Sequence, residues 1–231
     1  MSRTASSPMS AADWARNWKR TSALPGAWQA KGLWRRWFRR TVNSFVDGID
    51  LAGQRLIDLG AGTGDTGLHL IEDQGMAHAT LVEFSPVAAA HIRRRTQGAP
   101  VTLIQADLFT LELPDRFELV HSSMLVEHFF GLQRVDVFRR HAHLATESGH
   151  VLIFLPRRWL PGELLRRYNS LLGITERFFT EEEVRGICRQ AGLEILSLRR
   201  IFLGMGMGLL ARRASLSPPA AAQRPRGHSQ A

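Results

Sequence analysis

The sequence has a single cysteine, Cys188, and no long apolar segment. One cysteine excludes an internal disulfide and a zinc site built from several thiolates. The longest apolar stretch, residues 201–211, is shorter than the roughly 18 residues that a membrane-spanning helix needs, and it is rich in glycine. The first residues carry no apolar core of the kind found in a secretory signal peptide, so we expect a cytoplasmic protein.

The remaining composition is that of an ordinary globular protein. The chain has 231 residues, of which 44% are hydrophobic and 22% are charged. That length suits one domain with extensions, and that balance excludes global disorder and fibrous repeats.

Acidic residues are nearly missing from both ends of the chain. Residues 1–46 hold nine lysines and arginines against one acid, and residues 199–231 hold six arginines and no acid. The segment between them has 15 basic and 20 acidic residues, although the whole chain carries a net charge of +9. A polyanion-binding groove inside the central domain is therefore not favoured, whereas the basic ends could contact anionic surfaces.

The two ends also differ from the centre in pattern. We expect disorder over residues 1–12, which are rich in serine and alanine, and over the basic tail 213–231. Residues 13–49 are predicted to form a helical lid, with a helix over 31–46 that spaces apolar residues between arginine pairs. The central domain is expected to span residues 50–212.

From residue 54 onward, short apolar runs alternate with helical segments. The predicted strands are RLIDLG, ATLVEF, VTLIQAD, FELVHSS, GHVLIFLP, LEILSLRR and a stretch within 202–211. Residues 157–179 look irregular and basic, and residues 180–192 form a helix with a capping box at its start. This alternation predicts an α/β fold with a doubly wound, mostly parallel sheet, and it places a ligand beyond the carboxyl ends of the strands.

The segment DLGAGTG at residues 58–64 lies between the first strand and the first helix of this domain. Its three glycines let the backbone approach a ligand closely, and the helix that follows favours anionic groups at its start. Glu83 ends the second strand, where a carboxylate can accept two ribose hydroxyls. Asp107 ends the third strand and adds a carboxylate to the same edge of the sheet.

The ordered set of Asp58, the glycine-rich turn, Glu83 and Asp107 resembles the class I S-adenosylmethionine-dependent methyltransferases over roughly residues 50–212. The later segments resemble the branch that acts on small molecules. The resemblance implies a Rossmann-like sheet of seven strands, the last one antiparallel, preceded by an N-terminal helical extension. It implies S-adenosyl-L-methionine as the cofactor. Glu83 would then bind the ribose of the cofactor, and Asp107 would contact its adenine amino group. The implied cofactor-binding residues are Asp58, Gly60, Ala61, Gly62, Gly64, Glu83, Phe84, Asp107 and Leu108.

A dinucleotide-binding dehydrogenase is the alternative interpretation of the glycine-rich turn. Its fingerprint is G-x-G-x-x-G, but position 65 is Asp and Gly67 falls one place late. Asp107 also has no place in that fingerprint, so the spacing favours the methyltransferase.

Glu127 and His128 follow the fourth strand and are the candidate catalytic residues, with His128 as a general base. The alternative is that both residues only pack or cap the following loop. Nucleic-acid amino-methyltransferases of this class carry an Asn/Asp-Pro-Pro-aromatic motif here, whereas this chain has Ser122, Ser123 and Met124. This difference disfavours nucleic acid as the substrate.

Other reactive side chains give weaker signals. Cys188 lies inside a helix, which disfavours a cysteine-dependent mechanism. We expect no metal site, because His141 and His143 are two residues apart on a helix and do not share a face. His121 lies within a strand and is expected in the core.

The insertion at 157–179 is the candidate acceptor side. Trp159, Tyr168 and Phe178 are predicted to line an apolar acceptor pocket beside several arginines, and the equal alternative is a packed lid with a solvated basic face. For helix 31–46, the first interpretation is a lid whose Trp34, Trp37 and Phe38 cover the cofactor cleft. Weak peripheral contact with a membrane and contact with nucleic acid are its alternatives.

The expected function is methyl transfer to an oxygen or nitrogen atom of a small-molecule acceptor. Two alternatives stay open: an RNA methyltransferase that recruits its substrate through the basic ends, and a protein that binds the cofactor without turnover. The sequence leaves the oligomeric state and the acceptor undetermined.

Overall fold

The computed structural model describes residues 10–22, 27–171 and 174–214. The predictions for residues 1–9 and 215–231 lie outside the described residues. The helices are α1 Ala11–Ser22, α2 Ala27–Val46, α3 Asp65–Gln74, α4 Pro86–Arg95, α5 Gln133–Leu144, α6 Leu160–Leu171 and α7 Glu181–Ala191. The strands are β1 Arg55–Leu59, β2 His78–Glu83, β3 Val101–Gln105, β4 Phe117–Ser123, β5 Ala145–Pro156, β6 Leu193–Ile201 and β7 Gly206–Arg213.

The seven strands form one sheet in the order β3-β2-β1-β4-β5-β7-β6. The first five strands are parallel to one another, and β7 runs antiparallel to both β5 and β6. The predicted fold class, including the antiparallel last strand, is confirmed. The strand order reverses at β1, so the carboxyl ends of β1 and β4 flank the crevice where a ligand is expected.

Two apolar layers cover the two faces of the sheet. One contains Phe138 of α5 and Val184 of α7 against Val151 of β5. The other contains Val42 and Phe45 of α2 together with buried residues of α3, α4 and the opposite side of the strands. Both faces are covered because the parallel strands are apolar throughout, as such strands must be.

Helix α2 is fixed to the domain by both packing and charge. Phe45 lies edge-on to Phe154 at 5.4 Å between ring centroids, and a Cβ on Gly208 would overlap the Phe45 ring. Arg39 pairs with Asp73 through its Nε at 2.6 Å, and Asn43 donates to the same carboxylate at 2.8 Å. Part of the basic face of this helix is therefore neutralised by α3 instead of facing an outside polyanion.

Four predictions about elements differ from the structure. Helix α2 begins at residue 27 instead of 31, and β5 begins at residue 145 instead of 149. Residues 11 and 12, predicted to be disordered, belong to α1, because Ser10 and Asp13 cap its start reciprocally through their side chains and backbone N–H groups. Residues 157–179, expected to be irregular, contain α6.

One turn has an unusual backbone. Phe202, Leu203 and Gly204 between β6 and β7 have φ values of 53°, 55° and 86°. The left-handed region costs a non-glycine residue roughly 1–2 kcal/mol, so two such residues in succession need support from their surroundings. Phe202 receives that support: its ring lies 4.5 Å from Trp34 and 4.8 Å from Trp37.

Candidate active site

The glycine-rich turn after β1 forms a tight cradle at the carboxyl edge of the sheet. Gly60, Gly62 and Gly64 all have positive φ, between 58° and 73°, which only glycine adopts without strain. The Ala61 N–H donates to the Val82 carbonyl at 3.0 Å, which ties the turn to β2. A Cβ on Gly60 would lie 2.8 Å from the Leu125 side chain, so the cradle has no room for a larger residue there.

Asp58 is buried beneath this turn and does not line the cavity above it. Its Oδ1 lies 2.7 Å from Nδ1 of His121, and both residues are almost fully buried. The parallel register of β1 and β4 places these two residues side by side. The predicted binding residue thus supports the turn from below, and its partner is the core histidine.

Glu83 ends β2 and connects two loops. Its Oε2 accepts a hydrogen bond from the Gly62 N–H at 2.8 Å, and its Oε1 accepts one from the Ser85 N–H at 2.7 Å. Burial raises the pKa of this carboxyl, and the backbone donors partly oppose that shift. The carboxylate therefore holds the turn in shape while it faces the cavity.

Asp107 begins the loop after β3 and accepts a hydrogen bond from the Phe109 N–H at 2.8 Å through Oδ1. Its Oδ2 makes no hydrogen bond within the described residues, so it can accept one from a ligand. Leu108 is buried beside it, and Phe84 stands partly exposed after β2.

A cavity of about 280 Å³ joins these groups. One end is lined by the glycine-rich turn, Glu83, Phe84, Asp107 and Leu108, and the other by side chains from α1, β4 and the segment after β4. Those other side chains are Trp14, Ser123, Met124, Leu125, His128 and Phe129. The cavity thus brings most of the predicted cofactor residues together with one predicted catalytic residue; Ala61 and Gly64 shape the turn without lining it.

The cover over the cavity comes from α1, most of which lies inside the segment 13–49 that was predicted to form a helical lid. Trp14 of α1 lines the cavity and lies edge-on to His128, with 4.7 Å between ring centroids. Trp34, Trp37 and Phe38, the residues predicted to cover the cleft, pack around Phe202 instead. The reason is that α2 packs on the face of the sheet that α3 and α4 also cover, and not over the cavity. The sequence signal for α1 was the pair Ser10 and Asp13, three residues apart, which is the spacing of a helix cap.

The three residues predicted to line an acceptor pocket do not line this cavity. Phe178 is buried, Tyr168 of α6 is exposed, and Trp159 precedes α6. The structure separates them because α6 carries residues 160–171 outward from the end of β5.

His128 has a defined tautomer. Its Nδ1 lies 3.0 Å from the Thr175 carbonyl oxygen, which can only accept, so Nδ1 carries the hydrogen. Burial lowers the pKa of His128, and contacts with backbone carbonyls partly oppose the shift. Burial therefore favours the neutral ring, and with the hydrogen on Nδ1 the nitrogen that can accept a proton is Nε2.

Glu127 lies on the other side of that ring, with Oε1 4.0 Å from Nε2 of His128. Burial raises the pKa of Glu127 to about 8, and its Oε2 has no hydrogen-bond partner within the described residues. Glu127, His128 and Glu176 each bring one possible ligand atom within 4.8 Å of the others. These three side chains could hold a divalent cation. Because Glu127 is buried and keeps its proton, however, the structure favours the group without a cation.

The pKa of Glu127 makes a testable prediction about pH. Between its ordinary value near 4.5 and about 8, the folded protein keeps a proton that the unfolded chain has released. Stability therefore falls as pH rises through this window, by at most about 1.4 kcal/mol per pH unit. Glu127→Gln removes this titration, so its stability relative to the wild type should increase from pH 5 to pH 8 in urea unfolding. Parallel pH profiles for the two proteins would contradict the prediction.

Cys188 lies far from this chemistry. It is buried in the core layer of α7, and burial raises its pKa to about 12. A thiol in that state is a poor nucleophile, in line with the expectation from its place inside a helix.

Comparisons with known proteins agree with this geometry. Residues 56–149 match the family described as Methyltransferase domain. The demethylmenaquinone methyltransferase of Chlamydia trachomatis serovar L2 is 27% identical over 168 residues, which cover 64% of this chain and 71% of that protein.

Two solved structures share the fold. Magnesium protoporphyrin IX methyltransferase from Synechocystis PCC 6803, with bound S-adenosylhomocysteine, has a TM-score of 0.68 at 18% identity and covers 85% of this chain and 93% of that one. The second structure is the complex of the Haloferax volcanii Trm112 methyltransferase activator with a methyltransferase. One chain of it has a TM-score of 0.68 at 14% identity, and the match covers 80% of this chain and 94% of that one.

The sheet order and the cradle at its carboxyl edge define a class I methyltransferase. With the match over residues 56–149, this fold identifies the chain as an S-adenosylmethionine-dependent methyltransferase. In the described residues, no helix is both long and apolar enough to cross a bilayer.

Proposed function

We propose that this enzyme methylates an oxygen or nitrogen atom of a small, largely apolar acceptor that loses a proton during the reaction. The observation that carries the proposal is the position of His128 on the wall of the same cavity as Glu83 and Asp107. Trp14, Met124 and Phe129 surround it with apolar surface, which suits a flat organic acceptor better than a polyanion.

The cofactor residues follow from the same cavity. The turn at Gly60 and Gly62 has room for backbone contact with the methionine part of the cofactor. Glu83 would accept hydrogen bonds from the ribose hydroxyls, and the second oxygen of Asp107 would accept one from the adenine amino group. S-adenosylmethionine supplies an activated methyl group when it is bound.

The acceptor side of the site has to orient a nucleophile and remove its proton. His128 would take that proton at Nε2, while the Thr175 carbonyl keeps the hydrogen on Nδ1 and fixes the ring. Trp14 would hold the acceptor against the cavity wall and exclude water.

Methylation at a ring carbon is the second candidate. The relative in Chlamydia trachomatis is named a demethylmenaquinone methyltransferase, which supports a quinol-like acceptor for this chain. A ring hydroxyl of such an acceptor would also need a base, so the same histidine would serve both outcomes.

Methyl transfer from labelled S-adenosylmethionine tests the proposal, with a panel of phenols, hydroxyquinolines and reduced quinones as acceptors. Once an acceptor is found, His128→Ala should lower kcat at least about 100-fold, with cofactor affinity within a few-fold of the wild type. His150→Ala, at a half-buried histidine on β5, is the matched control and should keep full activity.

Two outcomes would overturn the proposal. Label that enters RNA but none of the small molecules would favour the RNA alternative. Tight cofactor binding without transfer to any acceptor in cell extract would favour the protein without turnover.

A further inference from the structure

Large apolar side chains are exposed mainly at one end of this molecule. Among the described residues, those outside the cavity are Trp34, Trp37, Phe109, Leu132, Leu160, Leu164, Tyr168, Leu171, Leu196, Leu203 and Met205. All except Leu196 belong to segments at the carboxyl edge of the parallel strands or pack against such a segment. A soluble protein rarely collects exposed apolar side chains on one side without a function for them.

Helix α6 contributes a continuous stripe to this end. Leu160, Leu164, Tyr168 and Leu171 recur at spacings of four, four and three residues, which places them on one face of the helix. Leu160 is 86% exposed and Leu164 is 68% exposed. Arg167 is exposed three residues after Leu164, at the border of the stripe.

The turn between β6 and β7 adds a second apolar group. Leu203 is 90% exposed in a left-handed conformation, and Met205 beside it is 43% exposed. Trp34 and Trp37, each about two-fifths exposed, pack on Phe202 at the base of this turn. The backbone of the turn is thus strained in a way that leaves the Leu203 side chain in solvent. This exposed side chain adds nothing to the packing of the core.

These two groups belong to one surface. The Arg157 N–H at the end of β5 donates to the Met205 carbonyl at 2.9 Å, and its Nη1 donates to the Gly204 carbonyl at 3.3 Å. Helix α6 begins three residues after Arg157. We call the stripe of α6, the 203–205 turn and the two tryptophans the apolar end surface.

Positive charge borders the apolar end surface. Arg36 and Arg40 of α2 are exposed four residues apart, and Arg167 lies beside the stripe of α6. Within the described ranges these three arginines make no ion pair. Apolar side chains bordered by unpaired arginines match the interface of a bilayer that contains anionic lipids.

We propose that the apolar end surface docks the enzyme onto an anionic phospholipid membrane. The leucines and tryptophans enter the interfacial layer, and the arginines contact lipid phosphates. A second copy of the chain is the weaker fit, because a symmetric pair would bring the same arginines together. The cavity and the apolar end surface both lie at the carboxyl edge of the parallel strands.

Vesicle co-sedimentation of the full chain tests this proposal. Wild-type protein should bind phosphatidylcholine vesicles that contain a quarter phosphatidylglycerol, and it should bind pure phosphatidylcholine vesicles more weakly. The double variant Leu164→Ser/Leu203→Ser should lower the affinity at least about tenfold. Both leucines are exposed, so the variant should fold normally by circular dichroism.

Leu196→Ser is the matched control, since Leu196 is 42% exposed on β6 outside the apolar end surface, and it should bind like the wild type. Absence of wild-type binding at low salt would overturn the proposal, as would equal binding by the double variant. Sedimentation velocity provides a further decisive result: self-association that the double variant abolishes, without vesicle binding, would assign the surface to a second copy. The measurement needs no turnover, so its failure is distinguishable from failure of the proposed function.

Discussion

His121→Leu is expected to lower the free energy of unfolding by about 3–5 kcal/mol. The substitution removes the partner that lies 2.7 Å from Asp58 and leaves that carboxylate buried beneath the glycine-rich turn. A buried charge without a partner is far more costly than the loss of one hydrogen bond. Guanidinium unfolding followed by tryptophan fluorescence measures the change.

The double variant His121→Leu/Asp58→Leu separates this effect from packing. It removes both partners, so it should recover most of the stability that the single variant loses. A single variant that loses less than about 1 kcal/mol would mean that Asp58 does not depend on His121. An equal loss in the two variants would assign the effect to side-chain packing alone.

Glu83→Ala is expected to weaken the binding of S-adenosylmethionine and S-adenosylhomocysteine at least tenfold, which is about 1.4 kcal/mol. Two losses add in this variant: the proposed ribose contacts, and the hydrogen bond that positions the Gly62 N–H. Glu83→Gln keeps one acceptor oxygen and should lie between the alanine variant and the wild type. Calorimetric titration measures all three affinities.

Glu194→Ala provides the control for this titration. Glu194 is an exposed glutamate on β6 that pairs with Arg212, so its loss should leave cofactor affinity unchanged. If Glu83→Ala binds both ligands as tightly as the wild type, the ribose assignment is wrong. If NAD binds to the wild type and the two sulfur ligands do not, the dehydrogenase interpretation returns.

The sheet and the glycine-rich turn were predictable because their signals are local. Each of the first five strands contains a short apolar run that stops at a glycine, a proline or a polar residue, and each such stop is visible in the sequence. Glu83 and Asp107 were predictable for the same reason, since Glu83 ends β2 and Asp107 follows the end of β3 by two residues.

The contacts between distant residues were not predictable. Asp58 meets His121 only through the register of β1 and β4, a separation of 63 residues. Trp14 reaches the cavity from a helix that begins in a segment rich in serine and alanine. Trp34 and Trp37 were predicted to cover the cleft, but the layer on which α2 docks depends on Phe45, Phe154 and Gly208 together.

The packing of Phe45 on Gly208 has a consequence for how the chain is made. The residues that complete the pocket for α2 lie in β7, near the end of the described chain, so α2 emerges from the ribosome long before its pocket exists. Arg199 reinforces this dependence, because its Nη2 donates to the Ser44 carbonyl across 155 residues. During synthesis, the apolar face of α2 therefore stays exposed to solvent until β7 has been made. The nascent domain cannot bury this face before that strand joins the sheet.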